Sequence, residues 1–162
     1  MQTSRSLQPL AALLLTAAGA ALLYLGRAEE PRDRALLDAA ATGQVLDEVG
    51  DGLTRVLSYS PDGLDLTEDA ARDVLRGRAA EQYRTLFARV REEAPAQGTS
   101  MRTRVVRAGA VELTGDHAVV LVFLDQTSVR EGGRESRPAA AQLTVTARYE
   151  DGRWRITELK AT

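Results

Sequence analysis

The sequence predicts an α+β fold: a single N-terminal membrane helix, then a domain of about three helices packed on a curved, four-stranded antiparallel sheet. Three observations predict it. Apolar residues recur at three- and four-residue spacing from Arg32 to Ala94, the period of helices buried on one side. The period then switches to two, from Met101 to the C-terminus. The turn signals "TGDH" and "EDGR" and one polar loop divide the extended part into four strands. A run of helices followed by a run of strands is an α+β order, unlike the alternation of a parallel sheet.

The first helix of the domain opens at Pro31, which is tolerated in a first turn. Its stripe is Leu36, Leu37, Ala40, Leu46, Val49, Leu53, Val56 and Leu57. Gly43, Gly50 and Gly52 interrupt it, each at a cost of about 1 kcal/mol relative to alanine, so tertiary packing must hold the helix. "SYSPDG" (Ser58 to Gly63) is a loop. Asp65 and Glu68 form a capping pair ahead of a second, short helix with the face Leu66, Ala70, Val74 and Leu75, broken by Gly77. The third helix carries Ala79, Tyr83, Leu86, Phe87, Val90 and Ala94, with Pro95 and Gly98 as stops.

Strands follow at Met101 to Val111, His117 to Thr127, Ala139 to Glu150 and Arg153 to about Lys160. The second is apolar at every position from Ala118 to Leu124, which suggests a central strand buried on both faces. The third alternates, with Ala141, Leu143, Val145, Ala147 and Tyr149 on one face. The polar stretch from Arg130 to Pro138 is a loop, and "EDGR" is a strong hairpin signal.

Residues 7–26, "LQPLAALLLTAAGAALLYLG", carry no charge. Twenty helical residues reach about 30 Å, the thickness of a bilayer core. Arg5 precedes the segment and two glutamates follow Arg27, so the positive-inside rule puts residues 1–6 in the cytoplasm. Residues 27–31 then form a linker, and residues 32–162 an exported domain on the outer face of the plasma membrane. The rival reading is a cleaved secretory signal. Against it, the apolar run exceeds the ~7–15 residues of a signal core, and "GRAEEP" is a poor cleavage site. A single-pass signal-anchor fits better.

Composition excludes several functions. The net charge of −2 offers no sustained basic surface for nucleic acid. "MRTRVVR" is basic, but its charges alternate as on a solvated strand face. Cysteine is absent and His117 is the one histidine, so no thiol nucleophile or zinc set is available. No glycine-rich phosphate loop precedes a helix. No cofactor is expected.

The chemistry-bearing candidates are Asp125, His117, Tyr59, Tyr83 and Tyr149. Asp125 and His117 share a strand face but lie about 26 Å apart along a straight strand at ~3.3 Å per residue, too far to form a dyad. Gln126, Thr127 and Ser128 show the strand leaving the core at Asp125. Asp125 therefore reads as a hydrogen-bond acceptor at the sheet rim, with Leu121 and Phe123 filling the interior. The tyrosines read as core or rim aromatics with satisfied hydroxyls. No residue is assigned a catalytic role. Tyr83, Phe87, Phe123 and Trp154 are candidates to line a pocket for a lipid.

A curved sheet closing over helices makes a cone, and the order of elements resembles the nuclear-transport-factor-2-like architecture. Four stretches carry a narrower resemblance: "VLSYS" (Val56 to Ser60), "LRGRAAEQYRTLF" (Leu75 to Phe87), "HAVVLVFLDQTS" (His117 to Ser128) and "DGRWRITEL" (Asp151 to Leu159). With them the chain resembles the actinobacterial Mce-associated membrane proteins, linked to mammalian-cell-entry lipid-import systems. The resemblance implies a non-catalytic accessory or assembly role in the cell envelope, serving import of a sterol or fatty acid, with transporter subunits as partners. Two alternatives keep the same architecture. One is an assembly factor of a type IV secretion-like complex. The other is an anchored isomerase- or cyclase-type enzyme using Asp125 as base on a small apolar substrate.

Overall fold

The computed structural model describes residues 31–130 and 136–161, with side chains described over 38–130 and 138–161. The expected membrane segment at 7–26 and most of the loop at 130–138 lie outside those residues. The chain divides into two units, Met1–Ala40 and Ala41–Thr162. Of the first, the described residues are helical. No described helix is long and apolar enough to cross a membrane.

Helix α1 spans Pro31–Val56, α2 Leu64–Val74 and α3 Gly77–Gln97. Strands β1 (Thr99–Thr114), β2 (His117–Arg130), β3 (Ser136–Glu150) and β4 (Arg153–Ala161) form one antiparallel sheet in the order β1-β2-β3-β4. This is the expected α+β architecture, with three helices packed on a four-stranded meander.

Within the second unit, α1 buries Val45, Val49, Leu53 and Val56, one residue per turn. Gly52 belongs to the same face: a Cβ there would lie 2.8 Å from Val74 Cγ1 of α2. The glycine therefore permits a close helix approach that its low propensity disguised in the sequence.

Helix α2 starts earlier than expected. A 3₁₀ turn at Pro61–Gly63 leads straight into Leu64, and Gly63 caps the helix without a side-chain bond. The face it buries also differs from the predicted one. Leu64, Thr67, Ala71 and Val74 are buried, while Leu66 is 76% exposed. Asp65 and Glu68 are not a capping pair; both reach Arg91 on α3.

Helix α3 buries Ala79, Tyr83, Phe87 and Ala94, but Leu86 faces solvent. Pro95 does not stop the helix, which holds it in its last turn. Gly98 does: it sits at φ 59°, ψ 37°, and its N–H is donated to the Ala94 and Pro95 carbonyls. That left-handed cap is what a glycine supplies at a helix C-terminus.

Both tight turns fall where the sequence placed them. Asp151 and Gly152 have φ of 52° and 78°, the two positive values of a type I′ hairpin. Strand β2 is central, paired with β1 and β3 along its length. Its even residues Ala118, Val120, Val122 and Leu124 face the helices and are at most 2% exposed. Burying each of the larger ones contributes about 1.5–3 kcal/mol. The odd residues face outward, and Phe123 is 42% exposed. The expectation that β2 is buried on both faces, with Leu121 and Phe123 filling the interior, is thus corrected. Both parities are apolar, so the pattern alone left the face open, and the described helices of the second unit cover the even side.

Long-range polar contacts tie the helices to the sheet. Tyr59 and Met101 exchange backbone hydrogen bonds at 2.9 Å, covering one end of the β1 edge. Buried Thr103 donates its hydroxyl to the Leu57 carbonyl at 2.7 Å and accepts from Gln126 Nε2 at 3.2 Å. On the opposite edge, Leu75 bridges Ile156, and the Arg76 N–H donates to the Ile156 carbonyl at 2.8 Å.

Candidate functional site

Three concave regions collect the polar and aromatic groups. The first is a groove of about 510 Å³ between α2 and α3. Helical spacing builds its walls: Glu68, Ala71, Arg72 and Leu75 come from α2 and its end, and Ala80, Tyr83, Arg84, Phe87, Ala88 and Arg91 from α3. Tyr83 stacks on Phe87 with ring centroids 5.0 Å apart, and Tyr59 meets the same Phe87 edge-on at 6.4 Å. The rim is charged. Arg91 bonds Asp65 at 2.6 Å and Glu68 at 3.0 Å, while Arg72 lies 3.3 Å from Asp69 and 3.7 Å from Glu68. Tyr83 is buried, and among the described residues its hydroxyl has no hydrogen-bond partner. Burial foremost, and then the Glu68 carboxylate, push that hydroxyl far above the usual tyrosine range. The expectation of a satisfied hydroxyl therefore fails at Tyr83.

The second region, about 450 Å³, lies between α1, the end of α2 and β4. Its centre is Asp73. Arg155 Nη1 donates to Asp73 Oδ1 at 2.8 Å and also to the Asp73 carbonyl. Arg153 and Arg55 approach the other carboxylate oxygen at 3.3 and 3.6 Å. The Arg155 hydrogen bond holds the Asp73 carboxyl below the usual range, with Arg153 and Arg55 adding to it against a partial opposing effect of burial. Trp154 borders this hollow; its backbone N–H donates to Glu48 Oε2 at 2.7 Å, and its ring lies 5.4 Å from Tyr149. This is a structural clamp of β4 onto α1 and α2.

The third region lies on the outer face of the sheet. Arg104 and Asp125 are register partners across β1 and β2, and Arg104 Nη2 donates to Asp125 Oδ2 at 3.0 Å. Both side chains are exposed. Asp125 is a hydrogen-bond acceptor at the sheet surface, turned away from the core. His117 starts β2 opposite Thr114, at the other end of the strand.

The four candidate lining residues therefore separate. Tyr83 and Phe87 share the α2–α3 groove, and Trp154 borders the Asp73 hollow. Phe123 stands on the outer sheet face, because its strand parity points away from the helices. The structure adds Arg84, Arg91 and Glu68 to the groove and Asp73 with Arg155 to the clamp. Asp73 and Arg155 are 82 positions apart, so no local pattern signals their pairing. Among the described residues, no group of three or more histidine, cysteine or acidic side chains could hold a metal ion.

No family model matches the chain. Two curated relatives come from Mycobacterium tuberculosis. Uncharacterized protein Rv1362c is 36% identical over 147 residues, which are 90% of this chain and 66% of that protein. The chain thus spans just under two thirds of that relative's length. Outer membrane protein Rv1973 is 34% identical over 131 residues, 80% of this chain and 81% of that protein. Among solved structures, an IcmL-like type IV secretion system protein of Legionella pneumophila aligns with a TM-score of 0.61 at 8% identity, over 74% of this chain and 91% of its own. CagV, a VirB8 homologue from the Helicobacter pylori type IV secretion system, aligns with 0.57 at 10% identity, over 79% and 97%. These two show the fold, which is nuclear-transport-factor-2-like. The relative covered over four fifths of its length shows the family: the chain belongs with the mycobacterial protein Rv1973.

Proposed function

We propose that this member of the Rv1973 family is a non-catalytic accessory or assembly subunit of a cell-envelope complex, and that the complex is an Mce-type lipid importer. The segment at 7–26 anchors it in the plasma membrane, and the domain stands on the outer side. The name of the mycobacterial relative, an outer membrane protein, supports an envelope location.

One observation carries the reading. "HAVVLVFLDQTS", the stretch with the most distinctive resemblance to Mce-associated proteins, is used twice over. Its even residues build the core, and its odd residues present Val119, Leu121, Phe123 and the Arg104–Asp125 pair on the outer sheet face. The core does not require an aromatic at the outward position 123. A contact surface does, since aromatic anchors dominate protein interfaces. The same geometry argues against Asp125 as a general base: the carboxylate is exposed, tied to a guanidinium and turned away from the apolar interior where a substrate would be held.

Affinity purification of the full chain from actinobacterial membranes tests the proposal. Mce transporter subunits should co-purify, and Phe123→Glu should release them while the melting curve holds. Recovery of secretion-channel subunits instead would favour the second reading, an assembly factor of a type IV secretion-like complex. That reading draws on the two structural neighbours, both named as secretion-system proteins.

A further inference from the structure

The α2–α3 groove carries features that neither the core nor the outer sheet face explains. Its floor is hydrocarbon and aromatic: Ala71, Leu75, Ala80, Phe87 and the ring of Tyr83. Its volume of about 510 Å³ falls within the range of small-ligand sites, which pair an apolar lining with a few oriented polar groups.

The polar groups are unequal. Arg72 and Arg91 are neutralised by Asp65, Glu68 and Asp69. Glu68, the acid bordering the groove, is engaged by both of those arginines. Arg84 also borders the groove and has no ion pair with any described residue. Beside it in sequence, Tyr83 is more than nine-tenths buried, with a hydroxyl that lacks an acceptor. Native structures satisfy nearly all such buried groups, so this hydroxyl, closed off on a side chain that lines the groove, calls for a partner.

We infer that this groove binds a single-chain amphiphile with one anionic head group. The chain lies along Phe87, Ala80 and Leu75. The carboxylate pairs with Arg84, and a shift of the Tyr83 side chain toward the groove gives its hydroxyl the acceptor it lacks. Among the described residues the acid lining the groove, Glu68, is already paired, so a cationic head finds no free partner there, and a neutral head leaves Arg84 uncompensated. The inference stands apart from the assembly role: a subunit that docks on a transporter without holding an amphiphile would fail only the test below.

The test uses the full chain in phospholipid nanodiscs with three photoreactive probes of equal length: a dodecanoate, a dodecanol and a dodecylammonium. Crosslinked peptides are mapped by mass spectrometry, with label elsewhere in the chain as internal standard. The dodecanoate should label the stretch from Leu75 to Phe87 severalfold more than the other two. Ala88→Trp, at an exposed groove position, should lower that label about tenfold. Arg84→Gln and Tyr83→Phe should each reduce the preference for the acid and leave the dodecanol label unchanged. Equal labelling by all three probes, or a label that Ala88→Trp does not diminish, would overturn the inference. Melting curves of the three variants confirm that the fold persists.

Discussion

Three glycines of α1 provide a sharp test of the packing, because one substitution should act in opposite directions along one helix. Glycine to alanine in a helix interior gains about 1 kcal/mol from propensity. At Gly43 the added Cβ meets nothing within 4 Å, so Gly43→Ala should stabilise by about that amount. At Gly50 the nearest atom is Val105 Cγ2 at 3.8 Å, ordinary contact, and the gain should be similar. At Gly52 the Cβ lies 2.8 Å from Val74 Cγ1. Val74 is buried and β-branched, so its methyl has no easy rotamer to escape to. Overpacking of this kind costs about 1–3 kcal/mol. Against the helical gain, Gly52→Ala should therefore destabilise by roughly 0–2 kcal/mol. The single tryptophan, Trp154, is buried in the same region and reports unfolding by fluorescence in urea. With a slope near 2 kcal/mol per molar, the Gly43 and Gly52 variants should move the midpoint by up to about 0.5–1 M in opposite directions. In a Val74→Ala background the clash is absent, and Gly52→Ala should become neutral or stabilising. An equal upward shift for Gly43→Ala and Gly52→Ala would refute the close approach of α1 to α2.

Thr103→Val should destabilise by about 1–3 kcal/mol, since it strands the Leu57 carbonyl and the Gln126 amide; urea midpoints measure it. Asp73→Asn should cost about 1–2 kcal/mol, the low end for a charged hydrogen bond because Asp73 is about a third exposed. It also has a pH signature. The folded carboxyl titrates below its unfolded value near 3.9, so its stabilisation is full above that value and is lost as pH falls through the folded one. Acid titrations of stability should accordingly show a shallower loss below about pH 4 in Asp73→Asn than in the parent chain. Asp125→Asn should change stability by less than about 1 kcal/mol, because the Arg104 pair is exposed; a larger drop in the urea midpoint would contradict the outer-face placement.

The candidate site was only partly legible in the sequence. Tyr83 and Phe87 stand four apart on a strongly periodic helix, so their shared face could be read directly. The α2 wall of their groove could not, because Leu64, Ala71 and Val74 form a second apolar stripe beside Leu66, Ala70 and Val74, and only packing chooses between them. The helix begins at Leu64, directly after the 3₁₀ turn at Pro61–Gly63, and buries Leu64 and Thr67 in place of Leu66. Nothing in the sequence singles out Arg84; it stands apart only once the structure pairs Arg72 and Arg91.

By itself the sequence determined what is local. The switch from helical to strand period, the glycine cap at Gly98 and the Asp151–Gly152 turn follow from side-chain spacing and backbone sterics within a few residues. The tertiary structure alone decided which apolar parity of β2 faces the helices, which glycine of α1 admits the close approach of α2, and which arginines gather at Asp73. The physical reason is common to all three. Each depends on a surface brought up from a distant part of the chain: the helices over β2, Val74 against Gly52, Arg155 beside Asp73. A pattern that is apolar on both sides, or charged without a neighbour, stays undecided until that surface arrives.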